Sequence, residues 1–178
     1  MERIAKFSPV TEARWIKDWC GAFEGTELGA EGLRVQAETL YRELKIPKRA
    51  TAGSAGYDFY TPVDVCLKPG ESIKIPTGMR VEMSDGWVLL IVPRSSLGFK
   101  YKLELNNTVG VIDSDYYYSD NEGHIFIKII NSNPEGKTVE IKAGQAFAQG
   151  IFVMYGITED DDCASLRNGG FGSTDVVR

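Results

Sequence analysis

The chain has 178 residues, of which 43% are hydrophobic and 25% charged, with a formal net charge of -5. That length holds about one domain with a conventional core, and the composition excludes a disordered, fibrous or membrane-embedded chain. The acidic balance argues against nucleic acid or a membrane surface as partner, because either needs clustered Lys and Arg.

The opening Met-Glu-Arg-Ile-Ala-Lys lacks the apolar stretch of a secretory signal, so the cytoplasm is the expected compartment. From Ser8 to Glu38 the apolar residues Val10, Trp15, Ile16, Trp19 and Phe23 recur near a helical period, with Ser8 and Pro9 suited to an N-cap and first turn. Gly21, Gly25, Gly29 and Gly32 interrupt them, which predicts two short helices to about Glu38. Leu40, Leu44 and Ile46 then fit a strand as well as a helix, and the strand is favoured.

From Tyr41 the character changes to short β-type runs separated by turn residues: Val63 to Leu67, Ser72 to Thr77, Trp87 to Val92, His124 to Ile130, Thr138 to Ile141 and Gln149 to Tyr155. The longest apolar run, Trp87 to Val92, stops at Pro93 and is far short of the roughly 20 residues a bilayer requires. Short strands with Pro-Gly, Asp-Gly and Lys-Ala-Gly turns predict an all-β antiparallel sandwich or barrel. The expected organisation is an N-terminal helical extension (1–38), a β core (39–156) and a flexible Gly-rich C-terminal arm (157–178).

Cys20, Cys66 and Cys163 are far apart and odd in number, which suits a reducing compartment. His124 is the single histidine, so His-rich metal sites are excluded and one option remains, a nucleophile activated by that residue.

Five polar clusters carry candidate chemistry. Ala55-Gly56-Tyr57-Asp58 is the first. In Pro93-Arg94-Ser95-Ser96-Leu97-Gly98, an arginine fork beside two hydroxyls either caps a turn or presents donors to phosphate oxygens. The third runs from Asn106 to Tyr116. There Asp113 follows the apolar pair Val111-Ile112 and can be held at a strand end to take a proton from water, whereas Asp115 lies in a more polar turn. The aspartate pair fits a turn, a cation site or a catalytic pair. Gln149, among small and apolar residues, pairs with backbone or contacts a ligand. In Arg167-Asn168-Gly169-Gly170-Phe171-Gly172-Ser173-Thr174, glycines permit close backbone approach, Phe171 offers a stacking face and Arg167 a phosphate partner.

In this order the five clusters resemble the five motifs of the trimeric dUTPases, over roughly Tyr41 to Thr174, with Gly-Val-Ile-Asp-Ser-Asp-Tyr and Gly-Gly-Phe-Gly-Ser-Thr intact. The resemblance implies a β jelly roll or distorted barrel, and a homotrimer whose active sites are shared between subunits. It also implies Mg²⁺-assisted hydrolysis of dUTP to dUMP and pyrophosphate, which limits uracil incorporation into DNA and supplies dUMP, with the Mg²⁺ bound mainly through substrate phosphates. Asp113 then matches the carboxylate that activates water. Asn107 and the backbone of the hairpin ending at Asp113, including Gly110 and Ile112, match the uracil-reading segment. Tyr116 matches the residue beneath the deoxyribose, and Phe171 the aromatic that closes over the base. Arg94, Ser95, Ser96, Gln149, Arg167, Gly172, Ser173 and Thr174 match phosphate contacts, and Asp58 the aspartate near the metal.

The chain departs from that pattern in three places. Tyr117 to Glu122 intervene before Gly123, Arg167 is one residue closer to Phe171 than in many members, and Asp175 replaces a closing glycine. A dCTP deaminase shares the jelly roll but needs a glutamate-bearing motif at the base, where this chain has Gly110 to Tyr116. A nucleotide-dependent regulatory module with a protein partner is the alternative from another class, its candidate contacts being the N-terminal extension and the long hairpin tip.

Overall fold

Alternation of buried and exposed side chains sets the strands, as from Met79 to Met83, where Met79, Val81 and Met83 point inward and Glu82 outward. The structure is a computed structural model that describes residues 2–165 and Arg167. Along the chain the elements are β1 (Ala5–Pro9), α1 (Glu12–Ala22), α2 (Gly29–Glu43), β2 (Lys48–Arg49), β3 (Tyr57–Tyr60), β4 (Val65–Leu67), β5 (Ser72–Pro76) and β6 (Met79–Met83). They continue with β7 (Trp87–Pro93), α3 (Ser95–Tyr101), β8 (Leu103–Leu105), β9 (Gly110–Ile112), β10 (Phe126–Asn131), β11 (Val139–Ile141) and β12 (Ala146–Met154). A 3₁₀ turn, Ser114–Tyr118, lies between β9 and β10.

Five strands form the principal sheet in the order β2-β3-β12-β7-β9, three form β5-β10-β8, and β1-β6 and β4-β11 are two-stranded. Their pairings are antiparallel. Phe59, Ile75, Leu89, Ile91, Ile127, Ile129 and Phe147 fill the space between the sheets, each nearly inaccessible to water. This is the expected all-β jelly roll.

The N-terminal segment differs from the sequence expectation at both ends. Ser8 and Pro9 do not open a helix. They end β1, which pairs with β6 from Ala5↔Met83 to Pro9↔Met79, and Phe7 stacks among the Tyr57, Phe59 and Phe152 rings. The N-cap of α1 is Thr11, whose hydroxyl accepts the Arg14 N–H at 3.2 Å. At the other end α2 continues past Glu38 to Glu43, and the strand favoured from Leu40 does not form. Leu33, Ala37, Leu40 and Leu44 instead complete a helical stripe against Val10, Trp15 and Trp19. Trp15 Nε1 donates to the Ala37 carbonyl at 2.8 Å and Trp19 Nε1 to Gln36 at 2.9 Å, so both indoles are buried with their polar edges paired. Leu44 touches this helical cluster and the jelly-roll core alike.

Among the described residues no helix is long and apolar enough to cross a membrane.

Candidate active site

The central strand β12 gathers three of the five clusters. Gln149 stands opposite Asp58 of β3 on one side and Val92 of β7 on the other. Its Nε2 donates to the Pro93 carbonyl at 3.2 Å. Arg94, the next residue, leaves β7 and turns its Nε to Asp58 Oδ1 at 3.1 Å. Ser95 and Ser96 open α3 with exposed side chains. Together with Gly56, these residues line a cavity of about 320 Å³. Donors from an arginine, an amide and two hydroxyls converge there, a set suited to phosphate oxygens.

A second group forms around the turn between β8 and β9. Thr108 takes a positive φ of 67°, with its N–H on the Leu105 carbonyl at 3.0 Å, and Asn107 is exposed at the tip. Gly110 lies against Ile91, where a Cβ would come to 3.1 Å of the Ile91 Cβ. The Ile112 side chain is in the core, so only its backbone is available to a ligand. The segment is not a paired hairpin: β8 bonds to β10 and β9 to β7, because the turn carries the chain from one sheet to the other. Asn106 and Asn107 border a cavity of about 380 Å³ with Lys74, Phe126 and Lys128. Those last three were not singled out in the sequence, where they fall within the ordinary strand runs Ser72 to Thr77 and His124 to Ile130.

Asp113 follows β9 with extended backbone, and its side chain is about half exposed. Arg167 bridges it to Asp115, with Nη2 at 2.5 Å from Asp113 Oδ2 and Nε at 2.8 Å from Asp115 Oδ1. Here the guanidinium meets two carboxylates. Tyr116, in the following 3₁₀ turn, is 4% exposed. Its hydroxyl donates to the His124 carbonyl at 2.8 Å and accepts from Asn121 Nδ2 at 2.8 Å, and burial pushes the phenol above its ordinary pKa. The inserted tip ends at Gly123, whose φ is 70° and whose Cβ would stand 2.7 Å from the Tyr117 Cα; a side chain has no room there. Phe171, Gly172, Ser173 and Thr174 lie outside the described residues.

His124 is not a nucleophile's partner. It is fully buried, with Nδ1 2.6 Å from Asp18 Oδ2 and Nε2 accepting the Gly78 N–H at 2.9 Å. An accepting Nε2 fixes the neutral tautomer with its proton on Nδ1, so both ring nitrogens are committed to the fold.

The clusters are also kept apart. Ile112, one residue before Asp113, lies opposite Leu89 on β7, and Arg94 is five residues beyond Leu89, about 17 Å away at the usual strand rise. Within one chain the phosphate-type donors and the Asp113 carboxylate cannot meet on one phosphorus atom.

These strand ends on this sheet order define a jelly roll of the dUTPase-like class. The sequence profile described as dUTPase matches residues 42–175. The deoxyuridine 5'-triphosphate nucleotidohydrolase of Lactococcus lactis is 44% identical over 134 residues, covering 74% of this chain and 88% of that relative. Among solved structures, a dUTPase from Streptococcus mutans has a TM-score of 0.58 and 40% identity, covering 66% of this chain and 91% of that one. A dUTPase from phage phi11 of S. aureus, described with a structural Mg(II) ion, has a TM-score of 0.55 and 25% identity, covering 68% of this chain and 90% of that one. The chain belongs to the dUTPase family.

Proposed function

We propose that the protein hydrolyses dUTP to dUMP and pyrophosphate, in sites that neighbouring copies of a homotrimer build together. The observation that carries the shared site is the separation along β7 and β9: Arg94 and Asp113 are both accessible to a ligand yet about 20 Å apart within one chain, six strand positions in register. A second copy supplies what the first holds out of reach.

In this reading Asp113 orients a water and accepts its proton as the water oxygen bonds to the α-phosphorus and the bridging oxygen leaves with pyrophosphate. A positioned base of this kind contributes about 10²- to 10⁴-fold. The remainder comes from holding the phosphates in line and neutralising their charge, which falls to Arg94, Ser95, Ser96 and Gln149. Asn107 and the backbone at Gly110 and Ile112 read the base, and Tyr116 supports the sugar. The arm contributes Phe171 at the base, and Arg167, Gly172, Ser173 and Thr174 at the phosphates. Arg167 exchanges Asp113 and Asp115 for the triphosphate, which frees the base when substrate is bound.

Among the described residues no three His, Cys, Asp or Glu side chains cluster to hold a metal ion, and Asp58 is engaged by Arg94. A Mg²⁺ would therefore be held chiefly by substrate oxygens with Asp58 beside it. When bound, it neutralises charge on the phosphates.

The test is pyrophosphate release from dUTP, dCTP, dTTP and UTP, with and without Mg²⁺, beside a solution mass. Release confined to dUTP by a trimer is expected; turnover of all four equally, or of none, overturns the reading. Asp113→Asn should retain nucleotide affinity, measured by calorimetry, and lose at least about 100-fold in kcat.

A further inference from the structure

The helical segment lies mostly before the residues that match the family profile, yet one of its side chains is joined to the sugar end of the site by an unbroken chain of bonds. Asp18, on the inner face of α1, is bonded to the His124 imidazole, whose other nitrogen accepts from Gly78. The ring is thus pinned on both sides, and Trp15 and Phe126 flank it with centroids 6.1 and 4.4 Å away. The His124 backbone carbonyl receives the Tyr116 hydroxyl. Asn121, which donates to that same hydroxyl, accepts from Ser119 Oγ at 2.7 Å and from the Gly123 N–H at 3.2 Å. Two bonds from Thr11 to the Glu122 carboxylate, at 2.9 and 2.7 Å, tie the start of α1 to the same loop. Arg14 Nε donates at 2.8 Å to the same Asp18 oxygen that meets His124, and its Nη2 bonds the other.

We propose that Asp18 and His124 are positioning residues for Tyr116, so that α1 sets how closely the site fits a deoxyribose. The inference rests on the reading of Tyr116 as the sugar support. Physically, a ring that excludes one hydroxyl must be held to a few tenths of an ångström, and its precision comes from the groups behind it. Core packing confines the Tyr116 ring, and the bonds at its hydroxyl set where within that packing it settles. The anchor is a carbonyl whose peptide is fixed by a doubly bonded imidazole. Asp18 sets that imidazole's orientation and tautomer, as carboxylates do for histidines in other settings.

The experiment compares kcat/KM for dUTP, UTP and dCTP in the full-length protein. Asp18→Ala removes the carboxylate. His124→Gln keeps an acceptor for the Gly78 N–H but loses the reach to Asp18, and it carries the test should Asp18→Ala fail to fold. For both, the dUTP-to-UTP preference should fall about tenfold, while the dUTP-to-dCTP preference stays within about twofold of wild type. KM for dUTP should rise more than kcat falls. Asp18→Asn, which keeps an acceptor for Nδ1–H, should restore the sugar preference. In a Tyr116→Phe background, which lacks the hydroxyl, Asp18→Ala should change that preference no further. An unchanged sugar preference in both severing variants overturns the inference, as does an equal fall in both preferences, the mark of general destabilisation. A wild-type protein that does not turn over dUTP would instead overturn the proposed function on which the inference stands.

Discussion

A Cβ placed on Gly56 would lie 2.3 Å from Gln149 Oε1 and 3.2 Å from its Cδ. Gln149 has nowhere to retreat without leaving the Pro93 carbonyl, and Pro93 is the residue that delivers Arg94 to the cavity. Gly56→Ala should therefore act on the phosphate cluster before it acts on the fold. We expect kcat/KM for dUTP to fall at least about tenfold, with a stability loss near the ordinary 1 kcal/mol of a point substitution. Kinetics beside a thermal melt separates the two effects, and unchanged turnover would remove Gln149 from the list of phosphate contacts. At this scale much of the site was legible in the sequence. Gln149 is a polar residue among small and apolar ones and Arg94 a guanidinium beside two hydroxyls, each a signal in itself, whereas Asp58 was carried by the family resemblance; in the structure the three converge. Lys74, Phe126 and Lys128 gave none, because a lysine at an outward strand position looks the same whether or not it borders a cavity. That Lys74 and Lys128 sit directly opposite each other is a fact of register, which pattern alone does not supply.

At the scale of the element, α1 docks through a buried ionisable pair, which makes its packing sensitive to pH. Burial lowers the His124 pKa below its ordinary 6.5, more than the bond to Asp18 raises it. Burial raises Asp18, but the bonds from His124 and Arg14 outweigh this and leave it below 3.8. The charged groups facing the imidazole are Asp18 and Arg14 from α1 and Glu122 from its own loop. For a histidine held below its unfolded value, the unfolded chain binds a proton that the folded chain refuses. Stability is then full above about pH 6.5 and lost as pH falls below it, while the Asp18 contribution follows in stronger acid. The melting temperature should drop as the pH falls below about 6.5, and His124→Gln should flatten the curve there. Parallel curves for the two proteins would show that the imidazole does not titrate there. The helices also show where pattern reading stops. Leu40 and Leu44 satisfy a strand and a helix equally, and only the tryptophans on α1 decide between them. Ser8 and Pro9 look like a helix start, yet tertiary pairing with β6 overrides that local preference. The longer strands, β5, β7, β10 and β12, fall close to where the β-type runs put them. β8 and β9 have three residues each, too few for a period to show.

At the scale of the whole molecule, one chain leaves large apolar side chains uncovered at both ends of the paired strands β7 and β12. Phe99 on α3 is 93% exposed, and Met154 at the end of β12 is 70% exposed. Surfaces of that kind are what a second copy covers. If neighbouring copies do share a site, two inactive variants should rescue each other. Arg94→Ala spoils the phosphate donors and leaves Asp113 intact; Asp113→Asn does the reverse. Refolded together, mixed trimers contain interfaces at which an intact Arg94 from one copy faces an intact Asp113 from its neighbour. Random mixing of equal amounts gives such a pairing at about one interface in four, so the mixture should recover about a quarter of wild-type turnover from two nearly silent parents. A site confined to one chain predicts no recovery at all, since every copy in the mixture is broken in one half. Rate measurements on the co-refolded mixture, with unmixed parents carried through the same refolding, decide between the two arrangements.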